Sequence, residues 1–375
     1  MEGETPVIIL DSGSGTCKAG MSNEEFPKAV FPEVVGIPRS DCTMSRKTYC
    51  GDEINDVRNS VLVSYPIQNG IIEDFDQMQL IWEYAIHERL NVDPQDHAVL
   101  LTEPPHNPKP AREEMVEIMF DTFGVESLNI SIQGVLSLLG HGKYTGLVLD
   151  SGEGVTHTLP VYDGYGLVHC INRLDLGGRD LNVLLAKLCA QVGTCLASTQ
   201  EQHYVRQMKE QHCYVCMDPT VESEVVEDVV HKLPDGREVV LNEERWRCPE
   251  ALFTPTLAGL NETMGVAQLV YDSICKSDID NRTSLLNNVV LSGGSTMFPG
   301  FVERLTQELR LCAPVSSHTN IRVVKSKDKD RTLAVWRGAQ VFSNLDQQST
   351  QWMSIDEYLE VGPALIHEKI GVRYS

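Results

Sequence analysis

Two stretches of this chain repeat one plan, and that repetition restricts the fold more than any other feature. Val7–Gly20 (VIILDSGSGTCKAG) and Gly146–Gly164 (GLVLDSGEGVTHTLPVYDG) each run from a short apolar strand into an aspartate, then Ser-Gly-x-Gly, then a second strand-like run. The two aspartates, Asp11 and Asp150, stand about one domain length apart. The simplest reading is two related halves that each present a glycine hairpin. One such hairpin alone would be an ordinary tight turn. Two on the same buried-strand pattern point to a shared task.

Other segments fill in an α/β pattern. Val7–Leu10, Ala98–Leu101, Leu147–Leu149 and Val289–Leu291 are short apolar runs that read as buried strands. Apolar spacing predicts helices over Asp76–Leu90, Ala111–Phe123 and Phe301–Leu311, and Asp180 is expected to N-cap a helix through Ala190. Pro104, Pro105, Pro108 and Pro110 mark a loop before the second of these. Alternating strands and helices favour an α/β architecture. With 375 residues and no Gly/Ser linker, the chain should form closely packed domains that it crosses between more than once.

Composition removes several function classes. The formal net charge is −22, which disfavours nucleic acid and anionic membrane surfaces, because both select for Lys and Arg. No uncharged apolar run approaches the roughly 18 residues of a membrane span. The opening Met-Glu-Gly-Glu has neither a basic nor an apolar segment of the secretory kind, so none is expected there. Eleven cysteines, an odd number spread thinly, read as reduced thiols of a cytosolic or nuclear protein.

The hairpins suit phosphate chemistry. Phosphate recognition needs several N–H donors converging at close range, and glycine allows the tight turn while removing the Cβ that would block approach. Gly13, Gly15, Gly152 and Gly154 meet that need; Ser14 adds a hydroxyl and Lys18 a charge. Asp11 and Asp150, at strand ends, suit a Mg²⁺ that keeps several of its waters. The spacing is not that of a strand–GxxxxGK[ST]–helix loop. A third glycine segment, Asn288–Leu305, runs strand, glycine turn, helix, and could hold a nucleoside at Gly293, Gly294 and Met297.

These hairpins resemble those of the actin family. The likeness continues through YPIQNGII (Tyr65–Ile72), LTEPPHNPK (Leu101–Lys109), LDLGGRDL (Leu174–Leu181), LPDG (Leu233–Gly236), RCPEALF (Arg247–Phe253), LSGGSTMFPG (Leu291–Gly300), VWRG (Val335–Gly338) and GPALIH (Gly362–His367). It covers essentially the whole chain. The resemblance implies a two-lobed α/β ATPase fold with a nucleotide cleft between related halves. Residues 1–32, 66–140 and 334–375 would form the first-lobe core, with 33–65 as a small outer insertion. Residues 141–176 and 262–333 would form the second-lobe core, with 177–261 as its insertion.

The same resemblance implies roles. Gly13, Ser14, Gly15, Thr16 and Lys18, with Gly152, Glu153, Gly154 and Val155, would hold the phosphates of ATP or ADP. Asp11 and Asp150 would hold Mg²⁺, or Ca²⁺, through water. Gly178, Arg206, Lys209, Glu210, Gly293, Gly294, Ser295, Met297 and Phe298 would surround the nucleoside. Gln133 matches the family's water-positioning glutamine and His157 the histidine that relays a proton. Both suit phosphoryl transfer to water. Implied partners are further copies of the chain in filaments, and actin-binding proteins or subunits of a complex. The implied location is the cytoplasm and its cytoskeleton, with the nucleus as an alternative.

The chain departs from the family's pattern at several positions. Glu153 replaces an Asp, Asn69 a modifiable His, Thr332 a Lys and Phe298 a Tyr. Arg39–Thr48, matching the loop that grips the next subunit, is a few residues short, with Met44 as its apolar anchor. Gln348 and Gln351 replace apolar residues of the partner cleft, and the terminus EKIGVRYS lacks the usual Lys-Cys-Phe. Plainer readings are preferred elsewhere. Cys213 and Cys216, near His203 and His212, read as buried thiols rather than a zinc site. Lys325, Lys327, Lys329 and Arg331, interleaved with Asp328 and Asp330, read as a solvated loop. Trp82 and Met119 read as core. Three functions stay open: a polymerising cytoskeletal ATPase, which is preferred; a scaffold subunit with little self-assembly; and a small-substrate phosphotransferase.

Overall fold

The computed structural model describes residues 5–40, 44, 46–196, 198–261, 264–324, 331–345 and 350–369. Thr43, Ser45, the lysines and aspartates of 325–330, and Gln348 lie outside the described residues. The chain divides into two compact units, Met1–Val148 with Leu159–Ile171 and Thr332–Ser375, and Leu149–Thr158 with Asn172–Arg331.

The first unit is organised on a six-stranded sheet in the order Met353–Ser354, Ser127–Ile132, Ala98–Glu103, Ile8–Ser12, Thr16–Met21, Ala29–Pro32. Its three central strands are parallel, and the strand Ala98–Glu103 is buried along its whole length. Covered on both faces, such strands read as continuous apolar runs, which is why they were legible as VIIL and AVLL. A smaller sheet joins Tyr49–Cys50, Val35–Pro38 and Val61–Ser64. Its own core is Val34, Tyr49, Ile54 and Val61, with Met44 packed against it.

The predicted helix over Asp76–Leu90 is two helical forms in series. An α-helix spans Phe75–Glu83, N-capped by the Asp74 carboxylate on the Gln77 amide. It widens into a π-helix over Tyr84–Leu90 and stops at Asn91, whose φ is 56°. Lys109–Glu117 passes in the same way into π-helical Ile118–Thr122. Apolar spacing did not register either change, because the buried face simply continues through Met78, Ile81, Trp82, Ala85 and Ile86. Trp82 and Met119 are core, at 1% and 0% exposure.

Two helices of this unit pack backbone to backbone. A Cβ on Gly338, in Ala334–Leu345, would lie 1.7 Å from the Leu136 carbonyl oxygen. A Cβ on Gly140, in Gln133–Gly140, would lie 2.5 Å from the Ala334 carbonyl oxygen. Each helix therefore occupies space that the other's glycine leaves empty. The pair covers the sheet through Leu136, Val335, Trp336 and Ala339, packed with Val7, Ile9, Ala98 and Leu100.

A further sheet runs in the order Tyr165–Gly166, Thr156–Tyr162, Gly146–Ser151, Val289–Ser292, with Asn172–Leu174 antiparallel to Thr156–Tyr162. Two unit boundaries, after Val148 and after Thr158, fall within these strands. Helices Gly178–Gln191, Thr199–His212, Val266–Lys276 and Phe301–Cys312 follow in chain order, with a hairpin of Val229–Lys232 and Glu238–Leu241. Arg304 forms a buried two-point ion pair with Glu250, at 2.9 and 3.0 Å. Asp180 is not the N-cap. Gly177 occupies that place, and the Asp180 carboxylate, three residues on, reaches back to its amide at 2.9 Å. Cys213 and Cys216 are buried free thiols. A hydrogen bond with Cys248, together with burial, pushes the Cys213 thiol well up, and burial takes Cys216 to about 11. Among the described residues no helix is long and apolar enough to cross a membrane.

Candidate functional site

Both glycine hairpins form as the repetition predicts. In the first unit Ile8–Ser12 and Thr16–Met21 are antiparallel, with Asp11 opposite Lys18. The Gly13 amide closes the turn on the Thr16 carbonyl oxygen at 3.2 Å. In the second unit the Gly152 amide does the same on Val155, at 3.1 Å. The first glycine of each hairpin thus spends its N–H within the protein, that of Gly13 shared between the Thr16 carbonyl and the Glu33 carboxyl. What it offers a ligand is room: a Cβ on Gly13 or Gly152 would meet nothing nearer than 3.5 or 3.8 Å.

Around the first hairpin the polar groups form a chain. Asp11 is 2% exposed; its Oδ2 accepts from Lys18 Nζ at 2.9 Å and its Oδ1 from the Thr102 hydroxyl at 3.0 Å. The Gln133 amide donates to Thr102 Oγ1 at 3.2 Å and to the Ser12 carbonyl oxygen at 2.8 Å. Gln133 is the first residue of its helix, as expected. Asp11, Lys18, Thr102 and Gln133 are therefore one connected network. Thr102 was not singled out from the sequence, where it reads only as the end of an apolar strand. Ser14 Oγ accepts from the Gly70 amide at 3.0 Å. That amide belongs to the two-residue turn in which Asn69 holds a φ of 48°, a conformation Asn tolerates well.

Glu33 is the other group the sequence did not reveal. Its Oε2 accepts from the Gly13 amide at 2.9 Å, and it is 1% exposed. Burial pushes its carboxyl up to about 8, against the pull of hydrogen bonds from Ser12 and Gly13. An acid following Phe-Pro reads as a surface turn; only the tertiary fold closes over it.

The second hairpin is held from two directions. Gly178 and Arg179, opening their helix, donate backbone N–H groups to the Gly152 and Glu153 carbonyls at 2.9 and 2.8 Å. The Ser295 hydroxyl donates to the Gly152 carbonyl at 2.9 Å. Gly293, with φ of 85°, lies so close that a Cβ would sit 2.2 Å from the Ser151 carbonyl oxygen and 2.7 Å from Asp150 Oδ1. The segment Gly293–Ser295 is thereby brought against Asp150 and the hairpin. His157 is 3% exposed and stands opposite Arg173 in the register of the second hairpin strand.

Glu153 turns inward. Its carboxylate lies 3.9 Å from Lys209 Nζ and accepts from the Asn182 amide at 3.5 Å. A Cβ on Gly178 would lie 2.4 Å from its Oε2, so the longer acid uses space that a glycine vacates. Lys209 is 4% exposed and donates to the Gly178 carbonyl at 2.7 Å. Arg206 and Glu210 instead form a surface pair one helical turn apart, at 2.8 Å. Met297 is exposed, whereas Phe298 is buried. Arg331, which the sequence placed on a solvated loop, donates through its backbone to Met297 Sδ at 3.4 Å and through its guanidinium to the Thr296 carbonyl. Burial lowers its pKa.

The match to known families is nearly complete in length: the actin family model covers residues 2–371 of the 375. The chain belongs to the actin family. The expected α/β class of that fold is accordingly shown. Actin-family proteins have an ATPase fold, generally bind nucleotide with a divalent cation, and typically self-associate and bind partners.

Proposed function

We propose that this chain binds ATP with Mg²⁺ through its glycine hairpins, hydrolyses it slowly, and couples that cycle to assembly into filaments. The observation that carries the reading is the Asp11–Lys18–Thr102–Gln133 network, which puts a cation, a metal-binding type of carboxylate and a water-orienting amide in one hydrogen-bonded set. Phosphoryl transfer asks mainly for positioning and charge neutralisation, and that set offers both. The residues fit both groups: open glycine tips for phosphates, and carboxylates at strand ends for a cation that keeps its waters. Mg²⁺, when bound, would neutralise phosphate charge. Lys18 would add a second positive charge, Gln133 would orient the attacking water, and His157 would accept its proton.

Lys209, Gly293, Gly294 and Met297 would border the nucleoside in this reading, with Glu153 acting on Lys209 rather than on the metal. The four-part division of the lobes set out from the resemblance is retained as part of the proposal. A scaffold subunit with little self-assembly is the second reading. The polar Gln351, where the resemblance expects an apolar residue of the partner cleft, favours it.

Two measurements test the proposal. Gln133→Ala should slow phosphate release roughly 10- to 100-fold while leaving affinity for an ATP analogue within about twofold, because an oriented water matters in the transition state. Hydrolysis at the parent rate would remove Gln133 from its role. Sedimentation with ATP, Mg²⁺ and physiological salt decides assembly: a chain that stays monomeric at tens of micromolar in every nucleotide state is a scaffold subunit.

A further inference from the structure

Glu33 grips both glycines of the first hairpin. Its backbone N–H donates to the Gly15 carbonyl oxygen at 3.3 Å, and its side-chain Oε2 accepts from the Gly13 amide at 2.9 Å. The residue is placed by the sheet: strand Ala29–Pro32 pairs with the outgoing hairpin strand through Thr16 opposite Pro32, and Glu33 comes next. It is 1% exposed. Its second oxygen, Oε1, is buried with no hydrogen-bond partner among the described residues.

Lys18 pairs with Asp11 at 2.9 Å, and its charge offsets the burial of Glu33 only in part. The groups facing the carboxyl are Asp11, Lys18, Ser12 and the Cys17 thiol. Burial first, and then the charge of Asp11, push the carboxyl up. The second hairpin makes the same turn, and its Gly152 amide donates to the Val155 carbonyl oxygen at 3.1 Å.

We propose that Glu33 is a positioning residue for phosphate binding, fixing the tip Gly13–Gly15 in its ligand-ready form before nucleotide arrives. The proposal rests on the nucleotide reading of the hairpins. A glycine turn left to itself samples many backbone states, and a ligand that must freeze it binds more weakly than one that finds it set. Two hydrogen bonds from one buried residue, one to each glycine, remove that freedom in advance.

The test compares Glu33→Ala with Glu33→Gln, which keeps an acceptor oxygen and nearly the same shape. Each protein is titrated with a fluorescent ATP analogue in Mg²⁺, and hydrogen exchange is followed in the peptide spanning Ile8–Lys18 without nucleotide. Glu33→Ala should weaken binding about tenfold and speed exchange at the tip. Glu33→Gln should stay within about twofold of the parent in both. A parent that binds no analogue overturns the nucleotide reading, and the role in phosphate binding falls with it. A parent that binds, with Glu33→Ala binding equally well, overturns the Glu33 inference alone. So does equal weakening of both variants with unchanged exchange at the tip.

Discussion

Lys18 Nζ lies 2.9 Å from Oδ2 of Asp11, its cross-strand partner in the first hairpin. The pair is largely out of water, with side-chain exposures of 12% and 3%. Removing one member of a buried pair strands the other's charge, which typically costs about 3 kcal/mol. Lys18→Met should therefore lower stability by roughly that amount, softened by the Thr102 hydroxyl that stays on Asp11. Urea unfolding of the two proteins checks it. An unchanged midpoint would mean that water reaches Asp11 freely.

Gly338→Ala should be among the most damaging single-methyl additions to the first unit. The new carbon would meet a backbone carbonyl, which cannot swing aside as a flexible side chain can. Overpacking of this kind costs about 1–3 kcal/mol or more. Because the displaced helix begins at Gln133, hydrolysis should fall along with the melting temperature. Gly142→Ala, where nothing lies within 4 Å of the added carbon, is the control for the space argument, although its φ of 67° adds backbone strain.

Glu33 predicts a slope in stability against pH. Its carboxyl rises from 4.5 to about 8 on folding, so between those values the folded state holds a proton that the unfolded state has lost. The contribution is full below the lower value and is lost as pH rises towards the upper, by at most about 1.4 kcal/mol per pH unit. Urea midpoints at pH 5.5, 6.5 and 7.5 should fall more steeply for the parent than for Glu33→Gln. Parallel slopes would show that the acid is already ionised.

Met44 packs on Val34, Tyr49, Ile54 and Val61 of its own unit, so a charge there acts on folding as well as on assembly. Met44→Asp should reduce pelleting and also expose Arg39–Thr48 to protease, with a local cost of about 1–3 kcal/mol. Met44→Leu should leave both as in the parent. Lost pelleting without any change in protease sensitivity would identify Met44 as a pure contact residue.

What could be read in advance followed from local pattern. The hairpins, the strand before each aspartate and the helix opening at Gln133 all lie within short windows whose residue types allow few alternatives. The helix cap was misplaced because Asp180 satisfies the Gly177 amide from inside the first turn, and an acid three residues into a helix looks in sequence like a cap. The change to π-helix at Tyr84 left no trace in a buried face that stays apolar. Glu33, Thr102 and Arg331 were missed for one reason. Each acquires its role from a neighbour far along the chain, and residue type alone does not distinguish such a group from an ordinary surface or strand residue.

The two interlocked helices behave as a keyed joint. A turn of either about its own axis would replace Gly140 or Gly338 at the contact with a residue whose Cβ meets the facing carbonyl. Rotation or ratcheting of one helix alone is therefore sterically opposed, which ties the position of Gln133, at the start of its helix, to that of Ala334–Leu345.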